Sequence, residues 1–558
     1  MAFLHSIFAL YQIWELPAQE VRYSWLEAGG LNISFDIQIN AVSLGAMTLI
    51  TGLNVLCQLY AVGYLEMDWG WARFYALMGF FEAGMCGLVL CNSLFFSYVY
   101  LEILTLGTYL LVGFWFAQPL VVSGARDAFW TKRVGDILLL MGVIALYPFS
   151  KTWNYNYLAF WAENSPIDPL FANLLCLALV AGPIAKCAQI PLQLWLDEAM
   201  EGPLPASILR NAIVVAVGAY VIIQLQPVLA TSPIVSEILV LVGALTAVLA
   251  SLIAIAQVDI KRVLSYIVSA YMGLVFIAVG TGYEQTALTL IAIYAVAMAL
   301  LYMSIGTIII SNVTQDLTQL GGLWSRRPLT AISFLVGTFG LVGFPPLGGF
   351  WILPVLGIEF LADQPWLVGV MLLVNALTAF SLIRTFSMIF LGDVKPMTVR
   401  SPEVLWAMVL PMMILTGVTL HLPFVLNQFN LIAWQGNMNI YFAISSFIGM
   451  IFALVIYGRK SGDETVTIIP EPIRNLFAYD LYIQDIYKLT FVAFVNITAK
   501  VTAWFDRYIV DGVVNLVGLG TIFGGQALKY STSGQSQLYV FSILLGLIFV
   551  ALIFGLTL

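Results

Sequence analysis

Apolar residues run in long stretches along this chain, separated by short polar, glycine-bearing or proline-bearing loops. Runs of about 20 apolar residues suit helices that cross a bilayer. The pattern predicts spans near 37–64, 71–92, 94–117, 134–149, 169–190, 205–229, 234–258, 262–281, 285–311, 330–356, 366–391, 404–427, 439–457 and 536–557. An apolar stretch ahead of them, Ala2–Trp14, is short for a span. It lacks the n-region and cleavage site of a signal peptide and reads as the tail of a helix that starts upstream. The segment 480–530 breaks the pattern. Asp485, Lys488, Lys500, Asp506, Arg507 and Asp511 recur through it, so the reading is a lateral helix at the membrane boundary rather than a span.

Proline interrupts two of the apolar runs. "AGPIAKCAQIPLQLWLDEAMEGP" carries Pro183 and Pro191, and "FGLVGFPPLGGFWILPVLG" carries Pro345, Pro346 and Pro354. They occupy corresponding places in two groups of about five helices. Paired broken helices point to a transporter built from internal repeats with a site near midplane. The fold class is therefore an all-α polytopic membrane protein.

Composition agrees. The chain is 61% hydrophobic and 9% charged, against about 25% charged residues in soluble domains. The five cysteines all lie in apolar segments without a CxxC pair and read as small buried hydrophobes. His5 and His421 are far apart and badly placed for a haem. No phosphate loop, dinucleotide motif or basic block is present, so no cofactor in this chain and no nucleic-acid partner are expected.

Ionisable residues inside spans are costly and are functional candidates by default. The strongest candidates are Glu82, Glu102, Lys186 and Arg210, with Asp136, Lys261 and Arg384 nearer predicted helix ends. A buried lysine can lose and regain a proton, and a nearby carboxylate holds it charged. The proline break would free backbone groups for water and give protons a wetted route. Lys186 thus reads as a titrating carrier or as a structural ion pair. Glu82 reads as functional or as a satisfied polar group between helices. Arg210 stays charged and can bias a path without relaying a proton.

"YLEILTLGTYLLVGFWF", "TKRVGDILLLMG", "AKCAQIPLQLWLDEAMEGPLPAS" and "DIKRVLSYI" resemble the antiporter-like subunits of complex I, most of all the NuoL/NdhF branch. "RFYALMGFFEAGM" and "FDRYIVDGVVN" share that likeness, which covers the chain from about residue 30. The resemblance implies two inverted five-helix bundles with broken helices, a C-terminal lateral amphipathic helix and a final transmembrane helix. The implied divisions are 1–70, bundles at 71–229 and 230–391, further helices at 392–479, the lateral helix at 480–530 and the last span at 531–558. It implies proton translocation, with Glu102 as the key carboxylate and Lys186 as its partner. Asp136 and Arg133 take the acid and base places of an NRVGD-like motif, and Lys261 lies between the half-channels.

The departures from the family pattern are informative. Arg210 stands where the family usually has histidine. "IYAVAMALL" replaces "THAFFKALL", putting Tyr294 and Met298 at the histidine and lysine places. "GFWILPV" replaces "GFFSKDE", putting Leu353 and Pro354 at the lysine and aspartate places. Asn40 replaces the acid of "DGLS", and Glu82 is an added carboxylate. The first half keeps its titrating pair and the second has lost its relay.

This pattern resembles the NdhF variants of cyanobacterial photosynthetic complex I devoted to CO2 uptake. That implies a multi-pass subunit of the thylakoid membrane, surrounded by lipid beside NdhD-type and NdhB-type subunits. A CupA/CupB-type hydration protein would be its partner. Fe–S clusters and plastoquinone would belong to the whole complex, and any hydration zinc to the partner. A rewired path of Glu82, Glu102, Lys186 and Arg210 would carry off the proton released by hydration. A standard NuoL/NdhF pump, an Mrp-type antiporter or membrane hydrogenase subunit, and a non-conducting anchor are the alternatives.

Overall fold

A computed structural model describes residues 1–164, 167–458 and 470–557. Helix α1 (Ala2–Ile13) precedes a hairpin of β1 (Gln19–Ala28) and β2 (Leu31–Ile39). This hairpin takes the place of the start of the span expected from residue 37. Its turn is Gly29–Gly30, both at positive φ, as the mirror-image turns of two-residue hairpins require. Asp36 is buried on β2. It accepts from its cross-strand partner Arg22 at 3.0 Å and from Asn154 at 2.8 Å. Asn154 also donates to Glu20, which fastens the loop after α5 to the hairpin.

The bundle runs through α2 (Ala41–Tyr64), α3 (Trp71–Leu90), α4 (Leu94–Val112), α5 (Pro119–Ser150), α6 (Tyr155–Asn164), α7 (Pro169–Lys186) and the short α8 (Leu194–Glu198). A π-turn at Arg210–Val214 joins α9 (Leu204–Leu209) to α10 (Val215–Leu229). Then come α11 (Pro233–Ala256), α12 (Ile260–Gly280), α13 (Glu284–Asn312), α14 (Pro328–Leu341), α15 (Gly348–Asp363), α16 (Trp366–Phe390), α17 (Trp406–Gln428), α18 (Asn437–Tyr457) and α19 (Glu471–Ala478). Helix α12 is buried over nearly its whole length, as an all-round apolar helix must be. It meets α11 closely: a Cβ on Gly243 would lie 2.6 Å from the Gly273 carbonyl.

Among the described residues, 14 helices are long and apolar enough to cross a membrane. They are not quite the expected set. The stretch 330–356 is two shorter helices, α14 and α15, separated at Pro345 and Pro346. Helix α5 begins at Pro119 instead of near 134, because Arg126, Asp127, Lys132 and Arg133 hide its first turns from a hydropathy reading. Asp136 therefore sits in mid-helix, not near an end. Asn40 caps α2, its side chain accepting from Ser43 N at 2.8 Å, which gives this position a structural use without an acid.

Packing divides the chain after Leu481. The second unit holds α20 (Ile483–Tyr487), α21 (Ala493–Phe505), α22 (Asp511–Ser531) and α23 (Ser536–Thr557), with π-turns at Lys488–Val492 and Asp506–Val510. The helical run Asp480–Tyr530 has 51 residues. At about 1.5 Å per residue it is more than twice as long as a hydrocarbon core of about 30 Å requires, so it is not a simple perpendicular span.

Candidate functional site

The site is built where α5 lies against α7. Gly135 makes this possible: a Cβ there would lie 2.5 Å from the Ala185 Cβ and 2.7 Å from the Ala181 carbonyl. The next residue, Asp136, is fully buried, and Lys186 is 3% exposed. Lys186 Nζ donates to Asp136 Oδ2 at 2.7 Å. It also donates to Thr105 Oγ1 and, at 3.3 Å, to the Leu101 carbonyl.

Glu102 is therefore not the partner of Lys186, as the resemblance implied. Successive residues of a helix point about 100° apart. Leu101 and Thr105, four apart, face Lys186, and Glu102 turns away toward Arg133. Arg133 Nη1 donates to Glu102 Oε2 at 2.5 Å, with side chains 31% and 20% exposed. Arg133 and Asp136 are thus the base and acid of two separate pairs on one helix.

A second buried cation was not singled out from the sequence. Lys132 is 1% exposed, donates to Thr108 Oγ1 at 3.2 Å and lies 3.7 Å from the centre of the Trp195 ring. Trp195 in turn donates to the Ala185 carbonyl at 2.7 Å. Lys132 stands inside the quoted "TKRVGD", and its burial follows from α5 starting earlier than hydropathy suggested. Thr105 and Thr108 were missed because a hydroxyl in an apolar run gives no sequence signal.

Side chains from other helices meet the backbone of the break after α7. Ile190 N donates to Thr246 Oγ1 at 3.0 Å. Gln189 Nε2 donates to the Cys187 carbonyl at 2.9 Å and to the Ser269 carbonyl at 3.3 Å, while Ser269 Oγ donates to the Ala188 carbonyl. Side chains take up these backbone groups, as buried irregular backbone requires.

Arg210 lies in the π-turn, 3% exposed. Its ligands are neutral: the Ala199 carbonyl at 2.5 Å, Ser207 Oγ at 3.2 Å and Asn211 Oδ1 at 3.3 Å. Lys261 Nζ donates to the Met200 carbonyl at 3.0 Å. Two cations thus sit on adjacent carbonyls of the turn after α8. Lys261 is the second residue of α12, behind the capping carboxylate of Asp259. Asp197 on α8 is paired with Arg262 at 2.8 Å.

Glu82 is half-buried and accepts from Asn54 Nδ2. A Cβ on Gly84 would touch Ile103 and Leu104, and one on Gly107 would touch Phe81. Glu82 accordingly lies at about the depth of Thr105, on the neighbouring helix. Among the described residues no hydrogen bond or ion pair joins Glu82 or Arg210 to Glu102 or Lys186. The four do not form one continuous network.

The corresponding part of the second half has different chemistry. Tyr294 donates to the Asn211 carbonyl at 2.6 Å and stacks on Tyr271, which donates to the Leu341 carbonyl at 2.8 Å. Met298, Leu353 and Pro354 are buried. The second break is tied by Asn375, which accepts from Gly343 N at 2.8 Å and donates to the Phe442 carbonyl at 3.1 Å.

Residues 91–380 match a family described as NADH:quinone oxidoreductase/Mrp antiporter, TM, and residues 25–75 match NADH-Ubiquinone oxidoreductase (complex I), chain 5 N-terminus. The chain is 45% identical to a Paulinella chromatophora protein named NAD(P)H-quinone oxidoreductase subunit 5, organellar chromatophore 2. The match covers 98% of this chain and 90% of that protein. It is 30% identical to the chloroplastic NAD(P)H-quinone oxidoreductase subunit 5 of Zygnema circumcarinatum, over 96% and 90% of the two chains. Its fold is similar to a chain of the Mrp complex from Dietzia sp., with a TM-score of 0.68 at 20% identity, covering 81% of this chain and 92% of that one.

Proposed function

Because this chain belongs to the NADH:quinone oxidoreductase/Mrp antiporter family, in its NuoL/NdhF-type subunit 5 branch, we propose that it is the distal proton-translocating subunit of a photosynthetic complex I specialised for CO2 hydration. It is a multi-pass membrane protein of that branch. The finer reading places it in a cyanobacterial thylakoid, beside NdhD-type and NdhB-type subunits and a CupA/CupB-type hydration protein. Electrons would pass to plastoquinone elsewhere in the complex, through its Fe–S clusters.

One observation carries the reading. A titratable pair, Lys186 and Asp136, is buried in the first half, and tyrosine, methionine, leucine and proline fill the relay places of the second. Lys186 is the proton carrier. Its ammonium is paired with Asp136 at 2.7 Å, so release of the proton requires that ion pair to open. Arg133 and Asp136 are three residues apart on α5, so a shift of that helix alters both ion pairs together. Glu82, at the depth of Thr105, is a further carboxylate for this half. The fixed charge of Arg210 opposes onward movement of a cation. The proton to be moved is the one released when CO2 and water give bicarbonate, and its removal keeps hydration running forward. A zinc ion for that step would reside in the hydration protein and generate its hydroxide.

The test is CO2 uptake in illuminated cells lacking this chain, followed by isotope mass spectrometry beside respiration and cyclic electron flow. Loss of uptake with respiration intact supports the specialised reading. Normal uptake with impaired electron flow would make the chain an ordinary pump subunit.

A further inference from the structure

At the end of α16 the neighbouring helices part around a cavity of about 640 Å3, within the usual size of ligand sites, about 300–1,000 Å3. Helices α11, α16, α18 and α19 supply most of its wall. The body is apolar, with Leu252, Ile255, Leu377, Phe380, Met388 and Phe452. One end is not. Arg384 lines it and is 6% exposed. Its Nη1 donates to the Gln257 carbonyl at 3.0 Å and its guanidinium lies 5.5 Å from the centre of the Tyr457 ring. Its Nε is buried without a hydrogen-bond partner, and so is the hydroxyl of Ser387, one turn further on. Arg474 of α19 is exposed at the same cavity and has no ion partner among the described residues. Asp393 and Lys395 complete the polar rim.

We propose that this cavity holds an anionic glycerolipid of the bilayer, with an acyl chain along the apolar body and the headgroup at Arg384, Ser387 and Arg474. A buried guanidinium with no carboxylate beside it needs a counter-anion. The two unpartnered donors, Arg384 Nε and Ser387 Oγ, call for an acceptor oxygen. A planar guanidinium fits a phosphate or sulfate edge with paired hydrogen bonds. The depth agrees as well. Helix α16 ends at Phe390, so this polar end lies where a span meets the headgroup layer. Basic pockets at the ends of spans select anionic headgroups in this way. A neutral lipid would leave the arginine charge uncompensated.

The test uses the intact detergent-purified complex, exchanged into nanodiscs of phosphatidylglycerol, phosphatidylcholine or a neutral galactolipid. Lipid that survives extended washing is counted by mass spectrometry. About one phosphatidylglycerol per chain is expected to be retained in excess of the other two lipids. Retention should fall at least about tenfold in Arg384→Gln and in Arg474→Glu. Arg474 is exposed, so its variant keeps the test valid if Arg384→Gln does not assemble. Equal retention of the three lipids, or retention unchanged in Arg474→Glu, would overturn the proposal. So would displacement of the lipid by millimolar inorganic phosphate, or cross-linking that places a neighbouring subunit inside the cavity.

Discussion

Lys186 Nζ lies 2.7 Å from Asp136 Oδ2, on two helices that pack closely where Gly135, Gly142 and Gly182 carry no side chain. The lysine is also bonded to Thr105 and the Leu101 carbonyl, so three helices converge on one ammonium group. Such a pair contributes little net stability, because desolvation of both ions offsets their attraction.

Removing the acid is therefore expected to be harsher than removing both members. Asp136→Asn leaves a lone buried ammonium, a change that costs about 3–5 kcal/mol in comparable pairs. Thermal stability of the complex should drop. Proton translocation, read by a pH-sensitive dye in membrane vesicles, should fall by more than about tenfold. The double variant with Lys186→Ala should recover part of the stability and none of the translocation. If Asp136→Asn leaves translocation intact in assembled complex, the pair is structural.

Gly135→Ala tests the approach of the two helices. Its methyl would meet Ala185 and the Ala181 carbonyl, and overpacking of this kind costs about 1–3 kcal/mol. Gly79 has nothing within 4 Å of its Cβ position. Gly79→Ala should be neutral or slightly stabilising, since alanine is the better helix former by about 1 kcal/mol. Melting temperatures of the two variants, measured side by side, decide the matter.

The Tyr294 hydroxyl donates to a backbone carbonyl. Tyr294→Phe should cost about 0.5–1.5 kcal/mol for one lost hydrogen bond and leave proton translocation and CO2 uptake unchanged. A fall in translocation of more than about twofold, with assembly preserved, would put this tyrosine on a conducting path.

Asp197 gives a pH signature. Burial pushes its carboxyl up to about 8, against the pull of Arg262, and the nearby Asp480, Glu198 and Asp259 add to the rise. Between about pH 4, the ordinary aspartate value, and about 8, the folded chain holds a proton that the unfolded chain has released. Stability attributable to this group therefore falls as pH rises through that window and levels off above it. Asp197→Asn should flatten the slope of melting temperature against pH between 6 and 8, and an unchanged slope would contradict the assignment.

Much of this was legible in the sequence, for identifiable reasons. Apolar runs of spanning length gave the helices, and Pro191, Pro345 and Pro346 marked the breaks, whereas Pro183 lies inside α7. The hairpin at Gln19–Ile39 was missed: only its last three residues fell inside the span expected from 37, and the rest was given no element, although Gly29–Gly30 was a usable turn signal. Lys132 was passed over because charges near it made the first turns of α5 read as loop.

The sequence by itself determined which helices form, where they break and which side chains can titrate, because helix length, proline geometry and side-chain chemistry are local properties. Only the tertiary structure decided the pairings. Whether Lys186 meets Glu102 or Asp136 depends on how far α4 is rotated about its axis and how near Gly135 lets α5 come to α7. A turn of one residue swings a side chain by about 100°, and no local pattern records that angle. The same holds for the break after α7, whose backbone groups are satisfied by Thr246 and Ser269 from helices later in the chain.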